Sequence, residues 1–151
     1  MLRVPAALAL LVALTACAFE PEEPTRADTD HSDAFAPKLN AVRAQHDLAA
    51  LRPEPRLAAA AETHAADMAA EDFISHDGSD GSTMQSRIVA EGYPSCVSAE
   101  NIALRATTRE EAIAQWLESP PHRENVLRGG VEEFGLAEVG GYWVLKLARP
   151  C

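Results

Sequence analysis

The chain has 151 residues, with 23 acidic and 13 basic side chains and a formal net charge of −10. Its length supports one domain with a substantial core and not two. No basic stripe interrupts the acidic surplus, so nucleic acid is excluded as an expected partner.

The first sixteen residues carry one base, Arg3, ahead of a short apolar run that closes on Leu14-Thr15-Ala16-Cys17. The run is too short for a stable membrane span and reads as a secretory signal covering residues 1–16. The closing four residues resemble a bacterial lipobox, which would make Cys17 the acylated N-terminus of the processed chain. Residues 17–33 follow with six acids against Arg26 and almost nothing apolar, the composition of an extended, solvated tether. Membrane attachment is then expected through the lipid, because residues 34–151 keep a net charge of −6 that an anionic surface would repel. Three cysteines in an exported chain leave one over; with lipid on Cys17, Cys96 and Cys151 remain to pair in an oxidising compartment.

Ser32 or Asp33 can cap a first helix that places Phe35, Leu39, Val42 and His46 at helical spacing. Arg52-Pro53-Glu54-Pro55 breaks the chain. A second helix is expected from Pro55 to Phe73, with Leu57, Ala61, His64, Ala65 and Met68 on one stripe. The Gly-containing run 75–82 ends it, Ser82 can cap a short third helix, and Gly92 and Pro94 stop that helix. Residues 99–106 are apolar enough for a strand or extended segment. Thr107 or Thr108 caps a helix over 109–118, with acids in its first turn where the helix dipole favours them. Ser119, followed by two prolines, opens one more helix. The strands Glu133–Val139 and Tyr142–Ala148 finish the chain as a hairpin about Gly140-Gly141. Helices followed by a hairpin predict an α+β layered domain.

Two histidines, His64 and His76, stand twelve residues apart. At about 100° per residue they fall about 120° apart on a helix, so they cannot share a face. His64 lies on the apolar stripe and is expected to be buried with one backbone or side-chain partner. His76 follows the helix and precedes Asp77-Gly78, where a loop can aim its side chain. Glu100 opens an apolar segment and needs a partner if covered, and His122 sits in the first turn after Ser119-Pro120-Pro121. No metalloprotease, nucleophile-elbow or phosphate-loop motif is present. Taken alone, each of these side chains reads equally as a loop, cap or packing residue.

Several blocks in order change that reading. The sequence 39–88, then ENIAL at 100–104, WLESPPHRENVL at 116–127 and FGLAEVGGYWVLKLARPC at 134–151, resembles the CAP superfamily of cysteine-rich secretory proteins, antigen-five allergens and plant pathogenesis-related proteins, in its compact bacterial branch. The resemblance covers nearly all of residues 35–151. It implies an α-β-α sandwich with a small antiparallel sheet between helical layers, and a cleft where two histidines and two glutamates converge. Transferred to this sequence, those residues are His76, Glu100 and His122. The remaining glutamate, three positions after the helix tryptophan in many eukaryotic members, is replaced: Trp116 plus three is Ser119, and the adjacent Glu118 points about 100° away.

The resemblance implies two chemistries for that cleft. His76, Glu100 and His122, with Ser119 or water beside them, are a candidate divalent-metal site that suits zinc, and an open metal position would support a hydrolase. A metal-free triad of Ser119, His122 and Glu100 is the weaker form, because Ser119 is better explained as a helix cap. The competing expectation is a binding module, a monomer that takes a lipid, a small hydrophobic ligand or a protein partner at the cell envelope. Ala18 after Cys17 favours an outer-membrane, periplasm-facing location.

Overall fold

The computed structural model describes residues 27–151. The expected signal, Cys17 and the first part of the tether lie outside the described residues. Helix α1 spans Ala27–Ala44, strand β1 Arg52–Pro53, helix α2 Pro55–Glu71 and helix α3 Met84–Ala90. Strand β2 (Ser95–Leu104), helices α4 (Arg109–Glu118) and α5 (Pro120–Val126), and strands β3 (Glu133–Val139) and β4 (Tyr142–Pro150) complete the order. The strands form one sheet in the order β1-β3-β4-β2. The β2–β4 and β3–β4 pairings are antiparallel and the short β1–β3 pairing is parallel, so the sheet is mixed and not purely antiparallel.

Both faces of this sheet are covered, and strand alternation divides the core between them. Trp143, Leu145 and Leu147 of β4 face one way, into a cluster with Phe35 and Leu39 of α1, Ile113 and Trp116 of α4 and Val126 of α5. Tyr142 and Val144 face the other, against Ala61, Ala65 and Met68 of α2, while Ala148 joins Leu57, Ala60 and Ile88. The result is the expected α-β-α sandwich. Alanines dominate the α2 face because the helix lies very close to the sheet. A Cβ built on Gly135 of β3 would come within 2.1 Å of the Ala58 nitrogen and 2.2 Å of the Leu57 carbonyl carbon. Only glycine permits that approach.

Local signals explain most boundaries. Glu54 caps α2, accepting from the Arg56 amide at 3.1 Å, with Pro55 at the first helical position. Of the two expected threonines, Thr108 caps α4, and its Oγ1 accepts from the Glu111 amide. The cap of α3 is Thr83 and not Ser82, because Thr83 and Ser86 form a reciprocal capping box. Ser119 occupies the N-cap position of α5 but its side chain makes no capping bond. Gly140 and Gly141 both have positive φ, +59° and +88°, as a tight hairpin turn requires.

The start of α1 departs from expectation. Residues 27–33, assigned to the tether, are helical, and Ser32 lies inside the helix as a buried tertiary contact and not a cap. Its hydroxyl accepts from the Leu136 amide at 2.9 Å and donates to the Leu136 carbonyl at 3.5 Å. His31 meets the edge of Trp143, with ring centroids 6.1 Å apart. These two contacts with the sheet draw the acidic segment into the fold. His46, read as part of the apolar stripe, is exposed beyond the helix end.

Candidate functional site

Two successive residues of β2 organise the site. Glu100 and Asn101 point to opposite faces of the sheet, as neighbours in a strand must. Glu100 turns to the α2–α3 layer, directly across from Lys146 on β4. Asn101 turns to the α4–α5 layer, where its amide nitrogen donates to the His122 carbonyl at 2.9 Å. Asn125 ties the two together, donating to the Asn101 side chain at 3.0 Å and to the Glu100 carbonyl at 3.3 Å. Because β2 is an edge strand, its two faces meet at one rim.

His76 is aimed by the loop after α2. Asp67 on α2 accepts from both the amide and the hydroxyl of Ser79, holding the loop against the helix. Arg87 on α3 donates to the His76 carbonyl at 2.7 Å and to the Ser82 carbonyl at 2.8 Å. Thus anchored, the His76 ring donates from Nδ1 to Glu100 Oε1 at 2.7 Å. The other carboxylate oxygen, Oε2, receives the ammonium of Lys146 and lies 3.5 Å from Arg87 Nη2. Glu100 and Lys146 are almost completely buried, with side-chain exposures of 2% and 0%, whereas the His76 side chain is 59% exposed.

His64 is buried on α2 as expected, with Nε2 donating to the Ser75 carbonyl at 2.8 Å. A carbonyl can only accept, so this bond fixes the neutral tautomer and leaves Nδ1 bare and without a partner among the described residues. The same Nε2 stands 4.0 Å from Glu100 Oε1, so His64 also forms part of the floor under the cleft. The His122 ring makes no hydrogen bond to the pair.

Titration behaviour follows from this packing. Burial alone would push the Glu100 carboxyl up, but the His76 hydrogen bond and the Lys146 charge outweigh it and hold the group at about 2. Burial brings the Lys146 ammonium down to about 8 against the opposing pull of Glu100. Both therefore remain charged at neutral pH. The His76 imidazole is raised by its bond to Glu100, while His64 is lowered by burial. His122 is lowered by burial and then by the charge of His76, which places the two rings within electrostatic reach of each other.

Of the sequence candidates, His76 and Glu100 are in direct contact and His122 is brought to the same rim from the opposite layer. Ser119 contributes no hydrogen bond to the group, and Glu118 is exposed. Sequence reasoning missed Lys146, Arg87, Asn101 and Asn125. A signal for Lys146 existed: a lone charge inside the apolar strand YWVLKLA needs a buried partner as much as the lone Glu100 does.

Glu100 offers no free oxygen as a direct metal ligand, and its bond to His76 Nδ1 is the way a carboxylate braces a ligating imidazole. His76 spends Nδ1 on Glu100, so any ion held by its free Nε2 lies on the far side of the ring from the carboxylate. The second carboxylate oxygen is committed to two cations. Among the described residues, no three His, Cys, Asp or Glu side chains are grouped as metal ligands. Cys96 and Cys151 form the expected disulfide, with Cα atoms 4.9 Å apart.

An edge-strand cleft between the two helical layers of an α-β-α sandwich, carrying a His–Glu pair, defines the class of domain. The cysteine-rich secretory protein family, CAP, matches residues 38–144, and the chain belongs to that family. Among solved structures, an extracellular protein containing an SCP domain from Bacillus anthracis is similar at 24% identity and a TM-score of 0.76, over 81% of this chain and 41% of that one. An outer surface protein from Borrelia burgdorferi is similar at 17% identity and a TM-score of 0.70, over 81% and 94% of the respective chains. A cysteine-rich secretory protein from Staphylococcus aureus gives 16% identity and a TM-score of 0.67, with 85% of this chain and 41% of that one covered. This chain thus spans less than half of the Bacillus and Staphylococcus proteins. No curated protein matches the sequence significantly.

Proposed function

We propose that the protein is an exported, lipid-anchored CAP domain that serves as a non-catalytic binding module of the cell envelope. The observation that carries this reading is the commitment of both Glu100 oxygens, one to His76 and the other to buried Lys146 and Arg87. A carboxylate held at about 2 is a poor general base near neutral pH. Its role here is to brace the rim on which the histidines sit. Export is supported by the signal-like residues 1–16 and by the Cys96–Cys151 bridge, which suits an oxidising compartment. Anchoring rests on the lipobox-like Leu14–Cys17, and a diacyl or triacyl cysteine would hold firmly at about 0.8 kcal/mol per buried methylene.

The ligand class is a lipid, a small hydrophobic molecule or a protein partner. A cavity of about 290 Å³ between α2 and α3 is walled by Thr63, Asp80, Ser82, Ser86, Arg87 and Glu91, with Ala90 its one apolar residue.

Two measurements test the reading. Cys17→Ser should move the chain from the membrane fraction to the soluble exported fraction; unchanged membrane association would remove the anchor. Purified wild type should hydrolyse casein and ester probes no faster than the His76→Ala/His122→Ala variant, with or without chelator. Turnover lost on chelation or in the double variant would replace the binding reading with the metal-assisted hydrolase.

A further inference from the structure

We propose that the hollow between α2 and α3 is a receptor for one basic side chain, a lysine or arginine presented by a protein partner. The proposal rests on the binding reading above and gives it a partner chemistry, at a place other than the histidine rim.

The hollow has a local origin. Residues four apart stack on one face of a helix, and on α3 two such positions that wall the hollow, Ser86 and Ala90, are both small. Thr63 on α2, with Asp80 and Ser82 in the connecting loop, closes the other sides and leaves about 290 Å³. Ligand sites span roughly 300–1,000 Å³, so this one suits a single side chain and not a larger molecule.

Two carboxylates line it, and neither is ion-paired among the described residues. Glu91 follows the last turn of α3, where the helix dipole disfavours an acid. Its natural helical partner is Arg87, four positions earlier. That guanidinium is instead turned inward, donating to the His76 and Ser82 carbonyls and lying 3.5 Å from Glu100. The Glu91 carboxylate and the Thr63 hydroxyl are consequently left without hydrogen-bond partners among the described residues. Asp80 is held in place by Ser82, whose amide donates to its Oδ1 at 2.8 Å. Hydrogen bonds from the Ser82 hydroxyl and amide keep the Asp80 carboxyl below the usual aspartate range, so it is charged at neutral pH. Arg87, 5% exposed, also walls the hollow, and its buried Nε has no acceptor among the described residues. A basic amino-acid residue brings both things that are missing, a cationic end for Asp80 and Glu91 and a backbone carbonyl as acceptor. The net charge of −6 over residues 34–151 favours the approach of a basic partner at long range.

The test titrates the purified chain with N-acetyl-lysine amide and follows backbone amide shifts by NMR. Saturable shifts should appear at Thr63, Ser82, Ser86 and Glu91, and they should weaken as salt is raised, because a half-open ionic site is screened. N-acetyl-norleucine amide, a near-isostere without the charge, should give none. Asp80→Asn/Glu91→Gln keeps the shape of both side chains and should weaken binding about fivefold, the loss expected of two partly exposed ion pairs. Ala90→Leu, at an exposed position, fills the hollow without touching its charge and should block the probe. The absence of saturable shifts in wild type would overturn the proposal. So would equal affinity for the norleucine probe, or undiminished binding in the charge variant or in Ala90→Leu. Shifts confined to His76 and His122 would do the same, as would a calcium titration that saturates the cavity amides and displaces the probe. Each of those results leaves the binding module standing, whereas turnover of casein would defeat the module and leave this site untouched.

Discussion

Glu100→Gln tests whether the pair under the cleft is the structural brace that its geometry describes. The substitution keeps the shape of the side chain and removes its charge. The Lys146 ammonium then remains fully buried without a counter-charge, while Arg87 keeps its bonds to the His76 and Ser82 carbonyls. Breaking a buried ion pair from one side costs about 3–5 kcal/mol. For a domain of this size each kcal/mol shifts Tm by roughly 3–5 °C, so a fall of about 10–20 °C is expected. Calorimetry at neutral pH measures it directly. The same logic makes a further demand: Glu100→Gln/Lys146→Met should be more stable than Glu100→Gln alone, because it removes the buried ammonium that the single substitution strands. The wild-type acid limb has a defined sign. A carboxyl depressed from about 4.5 to about 2 contributes stability that is complete above the unfolded value and fades as pH falls through the folded one. That limb should flatten in Glu100→Gln. A Tm change below about 3 °C, or a double variant no more stable than Glu100→Gln, would refute the brace.

Gly135→Ala should cost more than the usual ~1–3 kcal/mol of overpacking, because its Cβ meets α2 backbone and not the end of a flexible side chain; the urea midpoint reads the loss. Replacing both Cys96 and Cys151 with serine should cost about 4 kcal/mol for the loop they close, measured by equilibrium unfolding with and without reductant. The His76 ring, followed by NMR, should titrate above the ordinary histidine value in wild type and fall back in Glu100→Gln. Its raised value adds stability that is full below the unfolded histidine pKa and is lost as pH rises through the folded one.

Much of the architecture was legible because the signals were local. The α2 stripe, the Thr108 cap, the Gly140-Gly141 turn and the strands beside it each rest on residues within a few positions of one another. What escaped the sequence depends on distant partners. β1 is two residues long and contains Pro53, and it exists because Arg52 and Glu54 donate backbone bonds to Glu132 and Phe134, some eighty positions away. Residues 27–33 read as tether because the contacts of Ser32 and His31 that tie them down are to residues far along the chain, Leu136 and Trp143. At the site, His76, Glu100 and His122 were reachable through the family pattern, whereas Lys146 and Arg87 were not. Their importance lies in register and burial, which no spacing rule encodes. Arg43 is a parallel case outside the site: buried on α1, it donates to the Ala49, Val126 and Arg128 carbonyls and stitches the end of α5 to the first helix.

The register that makes the Glu100–Lys146 pair has its own physical origin. At the start of β2, Ser95 pairs with Pro150, but the next pairing is Val97 with Arg149, so Cys96 is an extra residue in the ladder. Continuing the Ser95 register without that bulge would set Glu100 opposite Leu145, whose side chain faces the α1–α4 layer. Directly opposed residues share a face, so the carboxylate would be driven into the apolar core and Asn101 would turn away from α5. One inserted residue therefore decides which layer receives the charge, as bulges do elsewhere by re-aiming a strand. The inserted residue is itself pinned: Cys96 is bonded to Cys151, and the Cys151 amide donates to the Pro94 carbonyl at 2.7 Å. The disulfide at the end of the sheet thus acts on the cleft through register. It holds in place the offset that sends Glu100 to His76 and Asn101 to His122.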